Sequence, residues 1–207
     1  SSIDRINYSN DNAITSVRGP LSLYRSDFAA TGNNNFGYFG AGYTPSVPNV
    51  RSIVDRIDYS NDNTTALVRG SLSKSRYGLL ATGNSNFGYF GGGIPQAGSP
   101  LYSIVDRIDY SNDTATASVR GPLSSARSYV AATSPTSFGG ATDFQPTSTF
   151  FDIQSMRRIE DTTNASVKKR ALGSYGYFYG GITYSNIHRI DFSNDTTLVT
   201  RPILTAN

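Results

Sequence analysis

The 207-residue chain is long enough for one well-buried all-β domain, and its lack of cysteine excludes disulfide bonds and thiolate metal sites. Its net charge is +3, and most arginines recur at equivalent repeat positions instead of forming one basic cluster, which argues against a nucleic-acid partner. No apolar run approaches the roughly 18 residues that span a bilayer, so we expect no membrane insertion. Abundant glycine, serine, threonine and asparagine predict short strands, tight turns and almost no helix.

A block of 51 residues recurs along the chain, and this period is the most informative property of the sequence. Four sets of anchor residues each recur at that interval: Arg5, Arg56 and Arg107; Arg18, Arg69 and Arg120; Arg25, Arg76 and Arg127; and Phe36, Phe87 and Phe138. A constant period of this length, with several short strands in each copy, predicts a repeat architecture such as a propeller blade.

The second copy of the block predicts four strands in chain order. Residues 53–59 alternate between two faces, and residues 64–69 return as a second strand after a turn at 60–63. Residues 76–82 form a third predicted strand, and residues 87–93 form a fourth that ends in a run of glycines. Glycine inside a strand implies that another backbone approaches closely or that the chain bends tightly, so we expect the fourth strand to lie innermost.

Both faces of the first predicted strand mix apolar and charged side chains. Arg56 and Asp58 lie two residues apart on one face, so they can pair with each other or with their copies in an adjacent blade. A strand that is covered on both faces needs apolar contact on each face and a partner for every charge. We therefore interpret the repeated arginines and aspartates as structural.

The order of these features resembles the kelch motif of β-propellers. A strand ending in two glycines is followed by a strand carrying Asp58 and Tyr59, and then by a strand leading to a bend and an arginine, with Leu72 and Arg76. The tryptophan usual in kelch repeats is absent, so the chain is similar to a divergent variant. The resemblance implies an all-β, kelch-like β-propeller of four or five blades, built from four-stranded repeats of 51 residues with incomplete terminal blades.

The amino-acid sequence of the repeat, VDRIDYSNDTATASVRGPLSSAR with FGYFGGG, also resembles repeat regions in structural and tail-fibre-type proteins of viruses that infect marine cyanobacteria. This resemblance extends over nearly the whole chain. It implies a non-enzymatic structural or adhesive virion component, such as a tail fibre, a decoration or a host-recognition element. Its partners would be other virion proteins or copies of itself, together with a host surface glycan or protein.

We expect residues 1–207 to form one repeat domain whose copies differ in completeness. Its units are a partial copy at 1–35, complete copies at 36–86 and 87–137, a degenerate copy at 138–174 and a partial copy at 175–207. Five Arg-Ile-Asp-type strands are predicted but only four Phe-Gly-Tyr-type strands. The terminal fragments can therefore complete each other in a closed ring, or they can pair with neighbouring chains. Because the chain starts within a copy, we also expect a leader or a further domain ahead of residue 1.

We predict no catalytic, cofactor-binding or metal-binding residue. His188 is the only histidine and stands at the repeat position of Asp106, so little material exists for a zinc site or a Ser-His-Asp system. Nearly every carboxylate is at a repeated position, whereas a glycosidase needs two in distinct environments. The exceptions are Asp27, Asp143, Asp152 and Asp161, which show no pairing. Segment 58–63 resembles a calcium loop without its central glycine and terminal glutamate, so a turn is the better interpretation.

Three loops vary in length and sequence while the rest of the copy repeats, at 41–52, 92–103 and 141–154. Variable loops on a rigid scaffold are the usual location of recognition, although such loops can also serve only as connections or subunit contacts. The candidate recognition residues in them are Tyr43, Arg51, Tyr102, Phe144, Phe150 and Phe151.

Two other functions fit the same sequence. One is a carbohydrate-binding or carbohydrate-active propeller of a bacterial cell surface, in which aromatic residues stack on sugar rings. The other is an intracellular protein-interaction module. The leading interpretation places the chain in a virion, and the first alternative places it outside the cell or at the cell surface.

Overall fold

The structure is a computed structural model that describes residues 1–97 and 99–133 together with the backbone of five later strands. The strands, in chain order, are β1 (Ile3–Arg5), β2 (Ser16–Arg18), β3 (Ala29–Gly32), β4 (Phe36–Tyr43), β5 (Val50–Asp58), β6 (Leu67–Arg69), β7 (Leu80–Gly83), β8 (Phe87–Gly91), β9 (Val105–Asp109), β10 (Ser118–Arg120), β11 (Ala131–Thr133), β12 (Phe150–Asp152), β13 (Arg157–Ile159), β14 (Tyr175–Tyr179), β15 (Ile187–Asp191) and β16 (Leu198–Arg201). One 3₁₀ turn, Tyr110–Asn112, is the only helical element of the described residues. The predicted all-β class is confirmed.

The strands form a series of antiparallel sheets. The first sheet contains β1 and β2, the second contains β3 to β6, and the third contains β7 to β10, each in chain order. The fourth sheet has the order β11-β14-β15-β16, while β12 and β13 pair with each other. Four-stranded antiparallel sheets are thus confirmed, but the described strands do not close into a ring. No helix in the described part of the chain is long and apolar enough to cross a membrane.

The boundaries between the sequence copies do not coincide with the boundaries between the sheets. The first strands of the second, third and fourth sheets start at Ala29, Leu80 and Ala131, one period of 51 residues apart. Loop 70–79 carries the chain from the second sheet to the third, so the second and third sheets each take strands from two successive copies. The third predicted strand, 76–82, begins only at Leu80. Gly78 has a φ of +61° and therefore breaks the extended conformation before that residue.

The glycine-rich strands are not innermost, which corrects our prediction. β4 and β8 are second in their sheets and have a strand on each side. The strands that link neighbouring sheets are β3, β7 and β11, because the Thr31 hydroxyl donates to the Thr82 carbonyl and the Thr82 hydroxyl to the Thr133 carbonyl, both at 3.1 Å. The predicted close approach of another backbone is found at Gly92, where a Cβ would clash with the Arg127 carbonyl oxygen, but other glycines accommodate aromatic side chains. A Cβ on Gly40 would lie 2.6 Å from the ring of Phe90 in the next sheet.

The repeated charges pair differently from our prediction. Arg56 does not pair with Asp58 or with the copy of Asp58 but with Asp113, which belongs to the turn after β9 (Nη1 to Oδ2, 2.7 Å). Asp58 instead accepts hydrogen bonds from the backbone N–H and the hydroxyl of Ser60, which hold its pKa below its ordinary value. Segment 58–63 is therefore a turn, as predicted. Its second carboxylate, Asp62, faces arginines of the first sheet.

The fourth sheet departs from the repeat alignment. Its second strand is β14, although the 51-residue period points to Phe138, which lies outside the described residues. Arg158, the anchor of the predicted fourth copy, is opposite Phe151 in the β12–β13 pair and is not part of the fourth sheet. The third strand is β15, in which His188 takes the register position of Asp106, opposite Phe178.

The main hydrophobic core lies between the second and third sheets. Tyr38, Val54 and Phe90 are fully buried in it, and the ring of Tyr38 stacks on that of Tyr110 with centroids 4.7 Å apart. A second cluster lies on the opposite face of the third sheet and contains Leu80, Tyr89, Val105 and Leu123. Because both faces of the third sheet are covered, its strands carry apolar side chains on both faces.

Candidate recognition surface

One end of the sheets is built on buried arginines. Arg25 donates from Nη1 to Asp55 at 2.8 Å and from Nη2 to the Phe39 carbonyl at 2.9 Å. One copy later, Arg76 contacts Asp106 at 3.0 Å and the Phe90 carbonyl at 3.1 Å.

The side chains of both ion pairs have no solvent exposure. Burial lowers the pKa of Arg76, and the charge of Asp106 opposes that shift. Each arginine therefore fixes its loop rigidly to the sheet that follows it.

The residues two positions after the repeated arginines Arg25, Arg76 and Arg127 stack the loops on one another. Asp27, Gly78 and Tyr129 have φ values of +53°, +61° and +51°. The Gly78 N–H donates to the Asp27 carbonyl, and the Tyr129 N–H donates to the Gly78 carbonyl, both at 2.8 Å. This chain of hydrogen bonds holds three successive loops side by side and presents their side chains at one end of the molecule.

Three tyrosines form a continuous row, which we call the tyrosine row: Tyr43, the last residue of β4, and Tyr77 and Tyr129, which belong to two successive loops. The centroids of Tyr43 and Tyr77 are 5.6 Å apart, and those of Tyr77 and Tyr129 are 6.5 Å apart, with the rings edge to face in both pairs. Tyr129 is 50% exposed and lies over Gly78, where a Cβ would approach its ring to 3.0 Å. Glycine in one copy thus makes room for tyrosine in the next.

Polar groups border the tyrosine row. The Asn49 side-chain amide donates to the Tyr43 hydroxyl at 3.1 Å, and the Arg51 guanidinium lies 3.4 Å from the Ser46 hydroxyl. Partial burial, the charge of Asp27 and the proximity of Tyr77 raise the pKa of Tyr129 above its ordinary value. The row therefore offers ring faces, hydroxyl groups and charges of both signs to a ligand. This combination suits shallow contact with a polar surface.

The candidate residues from the sequence have different positions. Tyr43 belongs to the tyrosine row, and Arg51 pairs opposite Gly42 in the adjacent strand. Tyr102 stands one period after Arg51, but it is half-buried, and its carbonyl accepts from the Arg127 N–H at 3.2 Å. Phe144 lies outside the described residues. Phe150 and Phe151 are in β12, where only the backbone is described.

Sequence reasoning missed Tyr77 and Tyr129. Both follow a repeated arginine, at positions where the other copies have serine, aspartate or glycine. An aromatic residue that breaks an otherwise regular repeat is the signal in the sequence that marks both positions.

The described residues gather no group of three histidine, cysteine, aspartate or glutamate side chains that could hold a metal ion. Of the carboxylates outside the repeat, Asp27 lies beside the tyrosine row and Asp152 is in β12. Asp143 and Asp161 lie outside the described residues, and so does the His188 side chain.

No protein-family model matches this sequence, and a search of curated proteins finds no match. The fold and the surface alone therefore define the class. The chain is an all-β tandem-repeat protein in which successive antiparallel sheets pack together and present stacked loops at one end.

Proposed function

We propose that this chain is a non-enzymatic structural or adhesive component of a virus particle, in the form of a divergent kelch-like β-propeller. The tyrosine row is the observation that supports adhesion most directly, since it lines up three aromatic side chains at one end of the sheets, with Tyr77 on a loop held by the buried Arg76–Asp106 pair. The viral assignment is supported by the amino-acid sequence of the repeat, through its resemblance to viral repeat regions. Tail fibre, decoration and host-recognition element are the roles that suit such a chain.

The proposed mechanism is multivalent contact. Each row is shallow and offers a few ring faces and hydroxyl groups, so one copy binds weakly. Several chains carried on one particle raise the effective concentration of the remaining sites after the first contact, which strengthens attachment by factors of about 10² to 10⁴. The partners are other virion proteins and copies of the chain within the particle, and a glycan or protein on the host surface.

Two measurements test this proposal. Antibodies raised against the chain should label intact, gradient-purified particles of the virus that encodes it, as seen by electron microscopy. The fluorescent chain, tetramerised on streptavidin, should bind whole marine cyanobacterial cells at least about tenfold more tightly than the monomer. Unlabelled particles would contradict the virion assignment, and equal binding of tetramer and monomer would contradict multivalent adhesion.

A matched pair of variants locates the binding surface. Tyr129→Gly introduces the residue that the preceding copy has at this position, so the positive φ is retained while the end of the row is lost. We expect it to reduce binding of the tetramer to cells about tenfold, with little change in the midpoint of thermal unfolding. Tyr8→Ala is the control. Tyr8 follows β1, lies at the end of the strands opposite to the tyrosine row, and is almost fully exposed.

The second candidate is a carbohydrate-binding or carbohydrate-active propeller of a bacterial surface. The tyrosine row favours it, because tyrosine rings bordered by amide and carboxylate groups can stack on sugar rings and bind their hydroxyls. Binding to a glycan array that Tyr129→Gly abolishes would support this candidate, and hydrolysis of labelled glycans would identify an enzyme. In either case we expect the chain outside the cell.

A further inference from the structure

Two equivalent sheet faces differ in how well they are covered. In the third sheet Ile108 is 2% exposed, and Phe90 and Tyr110 pack against the second sheet. Their copies in the second sheet, one period earlier, are Ile57, Phe39 and Tyr59. Ile57 and Phe39 are only partly buried, and Tyr59 is 47% exposed. The face of the second sheet beside the first sheet is therefore partly open, although it has the same type of sequence as a covered face.

The covered face shows what packs there. The hairpin formed by β3 and β4 lies over it, and Tyr38 of that hairpin stacks on Tyr110. Thr31 lies 3.2 Å from the Tyr110 hydroxyl, and Gly40 receives the ring of Phe90. The first sheet contains only β1 and β2, the copies of β5 and β6, so within the described residues it supplies no such hairpin.

The carboxylates between the sheets show the same difference. Asp113 contacts Arg56 at 2.7 Å, Arg69 at 3.4 Å and the Tyr38 hydroxyl at 2.9 Å. Its copy, Asp62, contacts Arg5 at 2.9 Å and Arg18 at 3.3 Å. The two arginines are therefore reproduced at Asp62, and the described residues place no tyrosine hydroxyl in the third position.

Among the described residues, no strand pairs with the outer edge of β1. In the second sheet the matching edge of β5 pairs with β4, with Tyr38 opposite Arg56, and the ring of Phe36 lies 4.3 Å from the Arg56 guanidinium carbon. The Arg56 side chain is consequently 18% exposed. Arg5, its copy in β1, is 52% exposed.

We propose that the β1 edge and the adjoining face of the second sheet bind a β-hairpin of the repeat's own type, with an A-T-G strand and an F-G-Y-F-G strand. The F-G-Y-F-G strand adds antiparallel to β1, with its tyrosine opposite Arg5. That tyrosine donates its hydroxyl to Asp62, and the phenylalanine two residues earlier covers the Arg5 guanidinium. The A-T-G strand then lies over Tyr59. This inference does not depend on the proposed function.

The test uses a synthetic peptide of residues 79–92, LLATGNSNFGYFGG, added to the intact chain. Fluorescence anisotropy of the labelled peptide should show saturable one-to-one binding. Hydrogen exchange should slow at residues 3–5, because β-addition protects the edge amides. Replacing the peptide tyrosine with phenylalanine (Tyr89→Phe) removes only the hydroxyl, and we expect about tenfold weaker binding because a hydrogen bond to a carboxylate is lost.

A second experiment joins the hairpin covalently to the chain, because isolated hairpins have low stability and the free peptide can fail to fold. Residues 20–51 are repeated directly before Ser1, which continues the 51-residue period and raises the effective concentration of the hairpin. We expect a higher unfolding midpoint and the same protection of residues 3–5, with both effects reduced when the added copy of Tyr38 is phenylalanine. Unchanged exchange at residues 3–5 in both arms would overturn the proposal. So would equal binding of both peptides, or self-association of the chain through this surface that the peptide does not compete with.

Discussion

Arginine and aspartate form two kinds of contact in this molecule, one within a sheet and one between sheets. Arg76 and Asp106 are fully buried and attach a loop to its own sheet. Arg56 and Asp113 are partly accessible and join the second sheet to the turn of the third. Both pairs consist of an arginine and an aspartate at positions that recur with the 51-residue period, but their surroundings differ. The comparison shows that a charged residue at a repeated position has no single role. Its burial determines how much free energy of unfolding is lost when it is removed.

The largest effect is expected at the buried pair. Asp106→Ala leaves the Arg76 guanidinium charged and without its carboxylate in a site with no solvent exposure. We expect a loss of about 3–5 kcal/mol in the free energy of unfolding, measured by urea denaturation. Asp4→Ala is the control, because Asp4 stands at the same repeat position but is exposed, and it should change stability by less than about 0.5 kcal/mol.

A double variant sharpens this result. Arg76→Met with Asp106→Leu removes both charges, and we expect it to restore most of the stability because an apolar pair of similar volume often replaces a buried ion pair without loss. If the double variant is as unstable as Asp106→Ala, the penalty does not come from an uncompensated charge.

The contact between sheets should be weaker and more sensitive to salt. Asp113→Ala removes the carboxylate that Arg56, Arg69 and Tyr38 share, and we expect a loss of about 2–3 kcal/mol, which shrinks in high salt because the arginines are partly accessible. Asp11→Ala, at the same repeat position but exposed, serves as the control. A loss as large as that of Asp106→Ala would remove the distinction between the two contacts.

The smallest effect concerns alkaline pH. Burial, followed by the hydrogen bond and the charge of Asp113, raises the pKa of Tyr38 above its ordinary value near 10. Because the folded chain holds this proton more tightly than the unfolded chain, the contribution of Tyr38 is fully present below about pH 10 and is lost as the pH rises further. Tyr38→Phe should flatten the decline in urea stability above pH 10. Tyr8→Phe, at an exposed position, should leave it unchanged.

The sequence allowed the prediction of strands and turns but not of their grouping. The alternation at 53–59 and the polar turn after it correspond to β5 and the turn that follows. A periodic sequence does not reveal where one sheet ends, so the passage between sheets at 70–79 required coordinates. The environment of Gly40 required coordinates for a related reason. Glycine indicates close approach, but only the structure shows that the approaching group is the ring of Phe90.

The candidate surface was less accessible to prediction. Tyr43 was identified because the segment that contains it varies among the copies, whereas Tyr77 and Tyr129 depend on loops that stack through backbone hydrogen bonds. A tyrosine in the sequence does not indicate a positive φ, so the backbone conformation of residue 129 could not be predicted from its own identity. The glycine at the same position one copy earlier was the clearest indication of it.

The hydroxyl-to-carbonyl ladder of Thr31, Thr82 and Thr133 has a consequence for the evolution of the chain. Each step uses the same donor and the same acceptor, one period apart, so every link is interchangeable with the next. Duplication or deletion of a 51-residue segment would rejoin the same threonine hydroxyl-to-carbonyl contact without new chemistry. The length of such an array can therefore vary by whole modules while this contact is kept at each junction.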